Sequence, residues 1–168
     1  MKKGRRITIT LFIIYMVVLS WAILFKFQFS IDVLGHMRRV NLIPFAESAI
    51  VNGKIDFDEI INNVIAFIPV GIYLGMMKTD WSFLKKLSTI AGISLLYEIT
   101  QFVFAIGATD ITDLIDNTLG GIIGILVFMF LYKVFKEKIF RILNALATIC
   151  TVSLLSLILC LIITEYML

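Results

Sequence analysis

Five long apolar runs, separated by short polar segments, constrain this chain more than any other feature of its sequence. They lie at about 7–25, 60–77, 84–106, 114–132 and 142–168. An α-helix needs about 20 apolar residues to cross the hydrocarbon core of a bilayer. Because backbone polar groups in lipid must be satisfied within the protein, such runs favour helices. We therefore predict an all-α, polytopic membrane helical bundle with about five transmembrane helices, forming one domain over residues 1–168.

Composition supports a multi-pass protein of the cell membrane, whose first partner is the lipid bilayer. Only 16% of the residues are charged and 60% are hydrophobic, whereas soluble domains carry about 25% charged residues. The first run continues past the small residues Ser20 and Ala22, which favours an uncleaved anchor over a secretory signal. The basic residues lie in short segments beside the apolar runs, so we predict no nucleic-acid partner.

The distribution of basic residues predicts a cytoplasmic N-terminus. With that orientation, the cytoplasmic side holds four basic residues before the first run, three from the end of the second run to the start of the third, and four between the fourth and fifth, out of fifteen in total. An excess of Lys and Arg on the cytoplasmic side is the usual pattern in membrane proteins. The segments around residues 26–59 and 107–113 would then face outward.

The third apolar run contains the only carboxylate that lies deep within an apolar segment, Glu98. Ser94, Glu98 and Gln101 fall on one helical stripe at spacings of three and four. Because a charge facing lipid costs several kcal/mol, we expect Glu98 to face the bundle or a wet cavity. Interhelical hydrogen bonding alone is the simpler interpretation of this stripe.

A row of carboxylates precedes the fourth run, in the sequence "GATDITDLIDNTLGG" at 107–121. Asp110 and Asp113 could simply cap a helix and complement its positive N-terminal dipole. Because Asp116 and Asn117 follow one turn deeper, we also predict an outward polar site at headgroup depth. The candidate ligand-binding residues are Arg38, Arg39, Asn41, Asn63, Glu98, Gln101, Asp110, Asp113 and Asn117.

Two pairs of glycines at a spacing of four predict close helix packing. They are Gly71 with Gly75 in the second run, and Gly120 with Gly124 in the fourth. Small residues at this spacing allow the backbones of two membrane helices to approach closely. The pattern is compatible with packing inside one chain or with a homo-oligomer.

Four ordered segments of this chain resemble the VanZ-like family of bacterial membrane proteins. They are "NLIPF" at 41–45, "NVIAFIPVGIYLG" at 63–75, "SLLYEITQ" at 94–101 and the aspartate-rich segment at 107–121. The resemblance covers about 41–132, and the span at about 142–168 lies beyond it. It implies a small helical membrane protein of the Gram-positive cell envelope that lowers susceptibility to teicoplanin. Many family members have an arginine shortly before the acidic motif, and Arg38 or Arg39 would have to replace it here.

The leading functional hypothesis is binding of a lipid-linked cell-wall precursor or a glycan in the outward polar site. An alternative is an intramembrane enzyme acting on an isoprenoid- or phospholipid-linked substrate. In that case Asp110, Asp113 and Asp116 would hold Mg²⁺ or Ca²⁺, and Glu98 and Asp113 are the candidate catalytic residues. A proton relay through Glu98 is a third hypothesis, although the inner half of the third run has no second ionisable group. Whether the chain is an enzyme stays open at this point.

Overall fold

The computed structural model describes residues 2–25, 37–45, 50–51, 54–55 and 57–167. Within them lie five helices: α1 (Lys2–Phe25), α2 (Phe57–Met77), α3 (Phe83–Phe104), α4 (Ile111–Phe135) and α5 (Lys138–Met167). All five are long and apolar enough to cross a membrane. The prediction of an all-α polytopic bundle with about five spans is therefore confirmed. The cytoplasmic position of the N-terminus stays a prediction.

Two short strand pairs lie outside the helices and were not predicted. β1 (Met37–Asn41) pairs in parallel with β4 (Ile106–Asp110), so that Asn41 lies opposite Asp110. β2 (Ile50–Val51) pairs antiparallel with β3 (Lys54–Ile55). The sequence between these strands is "VNGK" at 51–54, in which Asn-Gly is a tight-turn signal, although Asn52 and Gly53 themselves lie outside the described residues.

Helices α2 and α4 run parallel and pack closely through glycines. A Cβ atom added to Gly120 would collide with the backbone carbonyl oxygen of Val64, and one added to Gly124 with that of Ile68. A Cβ atom on Gly71 would meet the carbonyl oxygen of Gly121. The glycine pairs therefore join two helices of one chain, as the spacing allowed.

Helix α3 lies antiparallel to α4, and α1 covers the other side of α2 and α3. Ile90 of α3 packs over Gly121 of α4 and belongs to a buried apolar core with Phe67, Val70 and Ile125. On the α1 side, the Tyr15 hydroxyl donates to the Ala66 carbonyl at 2.5 Å. These contacts make α1–α4 the packed body that positions the polar residues.

Helix α5 joins this body only through its first turns. Ile139 is buried in a second apolar core, and the Thr8 hydroxyl of α1 donates to Asn144 Oδ1 at 2.9 Å. Beyond Asn144 the described side chains of α5 are exposed or half-buried. A long apolar surface of this kind is suited to lipid contact.

Candidate functional site

Polar side chains from α2, α3, α4 and β1 meet at the end of the bundle where α2 and α4 begin and α3 ends. We call this set the polar cluster; it comprises Asn41, Asn63, Ser94, Glu98, Gln101, Asp110, Asp113, Asp116 and Asn117. Three members, Asn41, Asn63 and Asp113, are half-buried, and the other six are buried. The structure thus brings together most of the residues that the sequence singled out.

Glu98 connects the end of α3 to the strand that follows it. Its side chain is 3% exposed, and its Oε2 atom accepts a hydrogen bond from the backbone N–H of Asp110 at 2.8 Å. The Thr109 hydroxyl donates to the backbone carbonyl of Glu98 at 3.1 Å. Glu98 faces the protein, as the cost of exposing a charge to lipid requires. It therefore holds β4 against α3.

Asp110 caps α4 and also binds β1. Its Oδ1 atom accepts the backbone N–H of Thr112 at 2.8 Å, which is an N-cap bond. The Asn41 side-chain amide donates to both Asp110 oxygens, at 3.3 and 3.2 Å. The capping interpretation is therefore confirmed for Asp110, but the same carboxylate also ties the paired strands together.

Asp113 lies one turn further along α4 and reaches across to α2. Its Oδ1 atom accepts a hydrogen bond from the Asn63 amide at 2.7 Å. Because this bond crosses between helices, Asp113 does more than cap α4. It links the beginnings of the two helices whose glycines pack together.

The bond between Asn63 and Asp113 should stabilise the bundle only modestly. We expect a double-mutant cycle of Asn63→Ala and Asp113→Ala to give a coupling free energy of about 0.6 kcal/mol and no more than about 1.7 kcal/mol, the range found for interhelical hydrogen bonds in membranes. Unfolding of purified variants in detergent micelles would measure it. The same cycle between Asn63 and the distant Thr148, as control, should give a coupling near zero.

Two amide side chains extend the polar cluster into the bundle. The Asn117 amide donates to the Ser94 hydroxyl at 3.0 Å, joining α4 to α3. The Gln101 amide donates to the backbone carbonyl of Ile23 at 3.2 Å, joining α3 to α1. In both residues the side-chain amide nitrogen donates its hydrogen bond within the protein.

Three buried acceptor atoms in the polar cluster have no hydrogen-bond partner among the residues that the structure describes. They are Gln101 Oε1, Asp116 Oδ2 and Asn117 Oδ1. Asp116 and Asn117 are each only 2% exposed. Buried polar atoms are paired in the great majority of proteins, and an unpaired one costs about 1–3 kcal/mol. Within the described part of the chain, these three oxygens therefore lack hydrogen-bond donors.

The family model described as VanZ/LLP1 matches residues 12–135 of this chain. That match covers well over half of the sequence. The chain belongs to the VanZ/LLP1 family. A curated relative, "Protein VanZ" of Enterococcus faecium, is 41% identical over 137 residues, which cover 80% of this chain and 81% of the relative. No solved structure matches the chain.

The whole polar cluster lies within the VanZ/LLP1 match, as do all four glycines of the α2–α4 contact. The match ends at residue 135, the last residue of α4, and α5 follows it. The resemblance drawn from the sequence motifs is confirmed. The end of the family match at residue 135 also fits the peripheral packing of α5, which lies beyond it.

The metal site proposed for the enzyme hypothesis is not favoured by the arrangement of the aspartates. Within the described part of the chain, no three His, Cys, Asp or Glu side chains come together so as to hold a metal ion. Asp110 binds Asn41 and Thr112, Asp113 binds Asn63, and Asp116 is buried separately. Asp110 ends β4, whereas Asp113 and Asp116 lie on α4, so the three carboxylates make contacts with different neighbours.

Arg38 and Arg39 lie on β1, where their backbones pair with Gly107 and Ala108 of β4. Their side chains fall outside the described part of the structure. The register places both residues beside the segment immediately before the acidic motif. The replacement of a family arginine by Arg38 or Arg39, inferred from the sequence, stays a prediction.

Sequence reasoning left two hydroxyl residues out of the candidate site. Ser94 is fully buried and accepts from Asn117. Thr112 accepts a hydrogen bond from the backbone N–H of Phe45 at 3.0 Å, which fastens the segment after β1 to α4. The signal for Ser94 was its place on the stripe with Glu98. Thr112 gave no signal beyond its position beside Asp113, because its partner lies 67 residues away.

Proposed function

We propose that this VanZ/LLP1 protein binds a lipid-linked or glycan component of the bacterial cell envelope at the polar cluster, and thereby lowers susceptibility to teicoplanin-type lipoglycopeptides. The observation that carries the binding proposal is the set of three buried acceptor oxygens, on Gln101, Asp116 and Asn117, for which the described residues supply no donor. The resistance part rests on family membership and on the relative named "Protein VanZ".

The polarity of the cluster favours a ligand that donates hydrogen bonds. The amides of Asn41, Asn63, Gln101 and Asn117 all donate within the protein. The atoms left over are carboxylate and carbonyl oxygens, which only accept. Sugar hydroxyls and amino groups supply donors, whereas a phosphate diester supplies acceptors alone. The glycan part of a lipid-linked molecule is therefore the part we assign to this cluster.

The position of the cluster suits a ligand that is partly embedded in the bilayer. Glu98 lies six residues before the end of α3 at Phe104, which is about 9 Å along a helix axis. Asp110 stands at the beginning of α4. The cluster thus lies close to one end of the spanning helices, at about the depth where lipid headgroups meet the hydrocarbon.

The first test is the amount of fluorescent teicoplanin bound by susceptible Gram-positive cells. We expect cells expressing the wild-type chain to bind severalfold less than cells with empty vector. Glu98→Ala and Asp113→Ala should restore binding toward the vector level, because each removes a carboxylate from the polar cluster. Asp80→Ala serves as the matched control, since Asp80 is an exposed carboxylate at the opposite end of the bundle, and it should behave as wild type.

Membrane levels of all variants must be equal in this experiment, and quantitative detection of an epitope tag establishes that. Equal teicoplanin binding by wild-type and vector cells would refute the resistance part of the proposal for this protein. If Asp80→Ala restored teicoplanin binding to the same extent as Glu98→Ala, the polar cluster would have no special role.

A further inference from the structure

A cavity of about 220 Å³ lies at the other end of the bundle, far from the polar cluster. It is bounded by the α2–α3 connection, the beginning of α3 and the second half of α4. Its lining includes Trp81, Lys86, Phe128, Met129 and Tyr132. The walls are therefore mainly aromatic or apolar, with one cationic side chain among them.

Lys86 is the unusual member of this lining. Its side chain is only 6% exposed, although lysine is almost never buried without a partner. Among the described residues, no carboxylate forms an ion pair with it. A buried ammonium group is costly unless a counter-charge compensates it. Asp80 interacts with Lys86 electrostatically without forming an ion pair, so the cavity presents a buried positive charge that has no direct counter-ion among the described residues.

Two further lysines increase the positive charge at the mouth of this cavity. The ammonium groups of Lys78 and Lys85 lie 4.6 and 4.5 Å from the centre of the Trp81 ring. Cation–π contacts of this kind hold a charge in place on an aromatic surface. Three lysines and a tryptophan therefore meet within nine residues of sequence, at the position where α2 ends and α3 begins.

We propose that this cavity binds the headgroup phosphate of an anionic membrane lipid, with Lys86 as the counter-charge inside and Lys78 and Lys85 at the rim. A phosphate supplies the negative charge that Lys86 lacks. The apolar walls formed by Phe128 and Met129 suit the first methylene groups of an acyl chain. The volume is too small for a whole lipid, so the chains continue along the outer surface of α4. This site is separate from the polar cluster and does not depend on the function proposed for it.

A specific site differs from the general attraction between lysines and an anionic leaflet. Lys133, Lys136 and Lys138 lie at the same end of the bundle and are all exposed. General attraction would give each of these lysines an effect on lipid selectivity similar to that of Lys86. A built site predicts instead that Lys86, which lines the cavity, affects lipid selectivity at Trp81 far more than these three exposed lysines do.

Trp81 provides the probe, because the chain contains only two tryptophans. In a Trp21→Phe background, the full-length protein is placed in phosphatidylcholine nanodiscs that contain a small fraction of lipid brominated on its acyl chains. Brominated phosphatidylglycerol should quench Trp81 fluorescence with a half-saturating fraction about fivefold lower than brominated phosphatidylcholine. Lys86→Met should abolish this preference, and Lys86→Arg should retain it. Lys133→Met is the matched control and should leave the preference unchanged.

Two outcomes would overturn the proposal. Equal quenching by both brominated lipids in the wild type would show that the cavity does not select an anionic headgroup. Equal losses of preference in Lys86→Met and Lys133→Met would assign the effect to general electrostatics. Competition with unbrominated lipids distinguishes a phosphate from a carboxylate headgroup. Unbrominated phosphatidic acid should relieve the quenching of Trp81. If oleate relieved it equally, the assignment to a phosphate would be wrong. A far-ultraviolet circular dichroism spectrum equal to wild type establishes that each variant is folded.

Discussion

Replacing Gly124 with alanine is expected to destabilise the bundle by about 3 kcal/mol, at the upper end of the usual cost of overpacking. The new Cβ atom would collide with the backbone carbonyl oxygen of Ile68. A backbone atom within a packed helix has no rotamer to change, so α2 and α4 would have to separate. Separation of these helices would also open the contacts that place Asn63 against Asp113. The midpoint of thermal unfolding in detergent should fall by several degrees or more.

Gly92→Ala is the matched control for this change. Gly92 lies in the middle of α3, is exposed, and has no neighbouring atom within 4 Å of an added Cβ. Alanine is favoured over glycine in a helix by about 1 kcal/mol, so this variant should be as stable as wild type or slightly more so. If Gly124→Ala and Gly92→Ala had the same midpoint of thermal unfolding, the close packing of α2 against α4 would be wrong.

The helices were predictable because each one carries its own signal. Length and apolar composition are local properties, and so are the Gly71/Gly75 and Gly120/Gly124 spacings that set the α2–α4 contact. The pairing of β1 with β4 was not predictable in this way. It joins Asn41 to Asp110 across 69 residues of sequence. It forms because β1, between α1 and α2, and β4, between α3 and α4, come to the same end of the bundle when the helices pack.

The polar cluster was predicted as a set, but the roles within it were not. The stripe with Ser94, Glu98 and Gln101 identified a buried face correctly, because period and polarity suffice for that. The sequence assigned Asp116 only to the candidate metal site and not to the ligand-binding residues, whereas the structure buries it more deeply than Asp113. Burial at that position depends on how α2 lies across α4, which no local pattern encodes.

Replacing Glu98 with alanine should have the largest effect among single changes in the polar cluster. It removes the acceptor for the buried backbone N–H of Asp110, and an unsatisfied buried donor costs about 1–3 kcal/mol. β4 would keep the bond from the Thr109 hydroxyl to the backbone carbonyl of residue 98 but would lose its side-chain attachment to α3, and the cap on α4 would loosen with it. We expect a lower unfolding midpoint in detergent together with loss of the effect on teicoplanin binding.

Glu98→Gln separates the structural part of this effect from ligand binding. The glutamine carbonyl oxygen can still accept from the Asp110 N–H, so stability should stay within about 1 kcal/mol of wild type. If the carboxylate also receives donors from a ligand, its loss should weaken binding by about tenfold, because hydrogen bonds to charged groups contribute about 1.5–3 kcal/mol. A stable Glu98→Gln protein that still lowers teicoplanin binding fully would make Glu98 a structural acceptor only. The ligand site would then have to rest on the unpartnered oxygens of Gln101, Asp116 and Asn117.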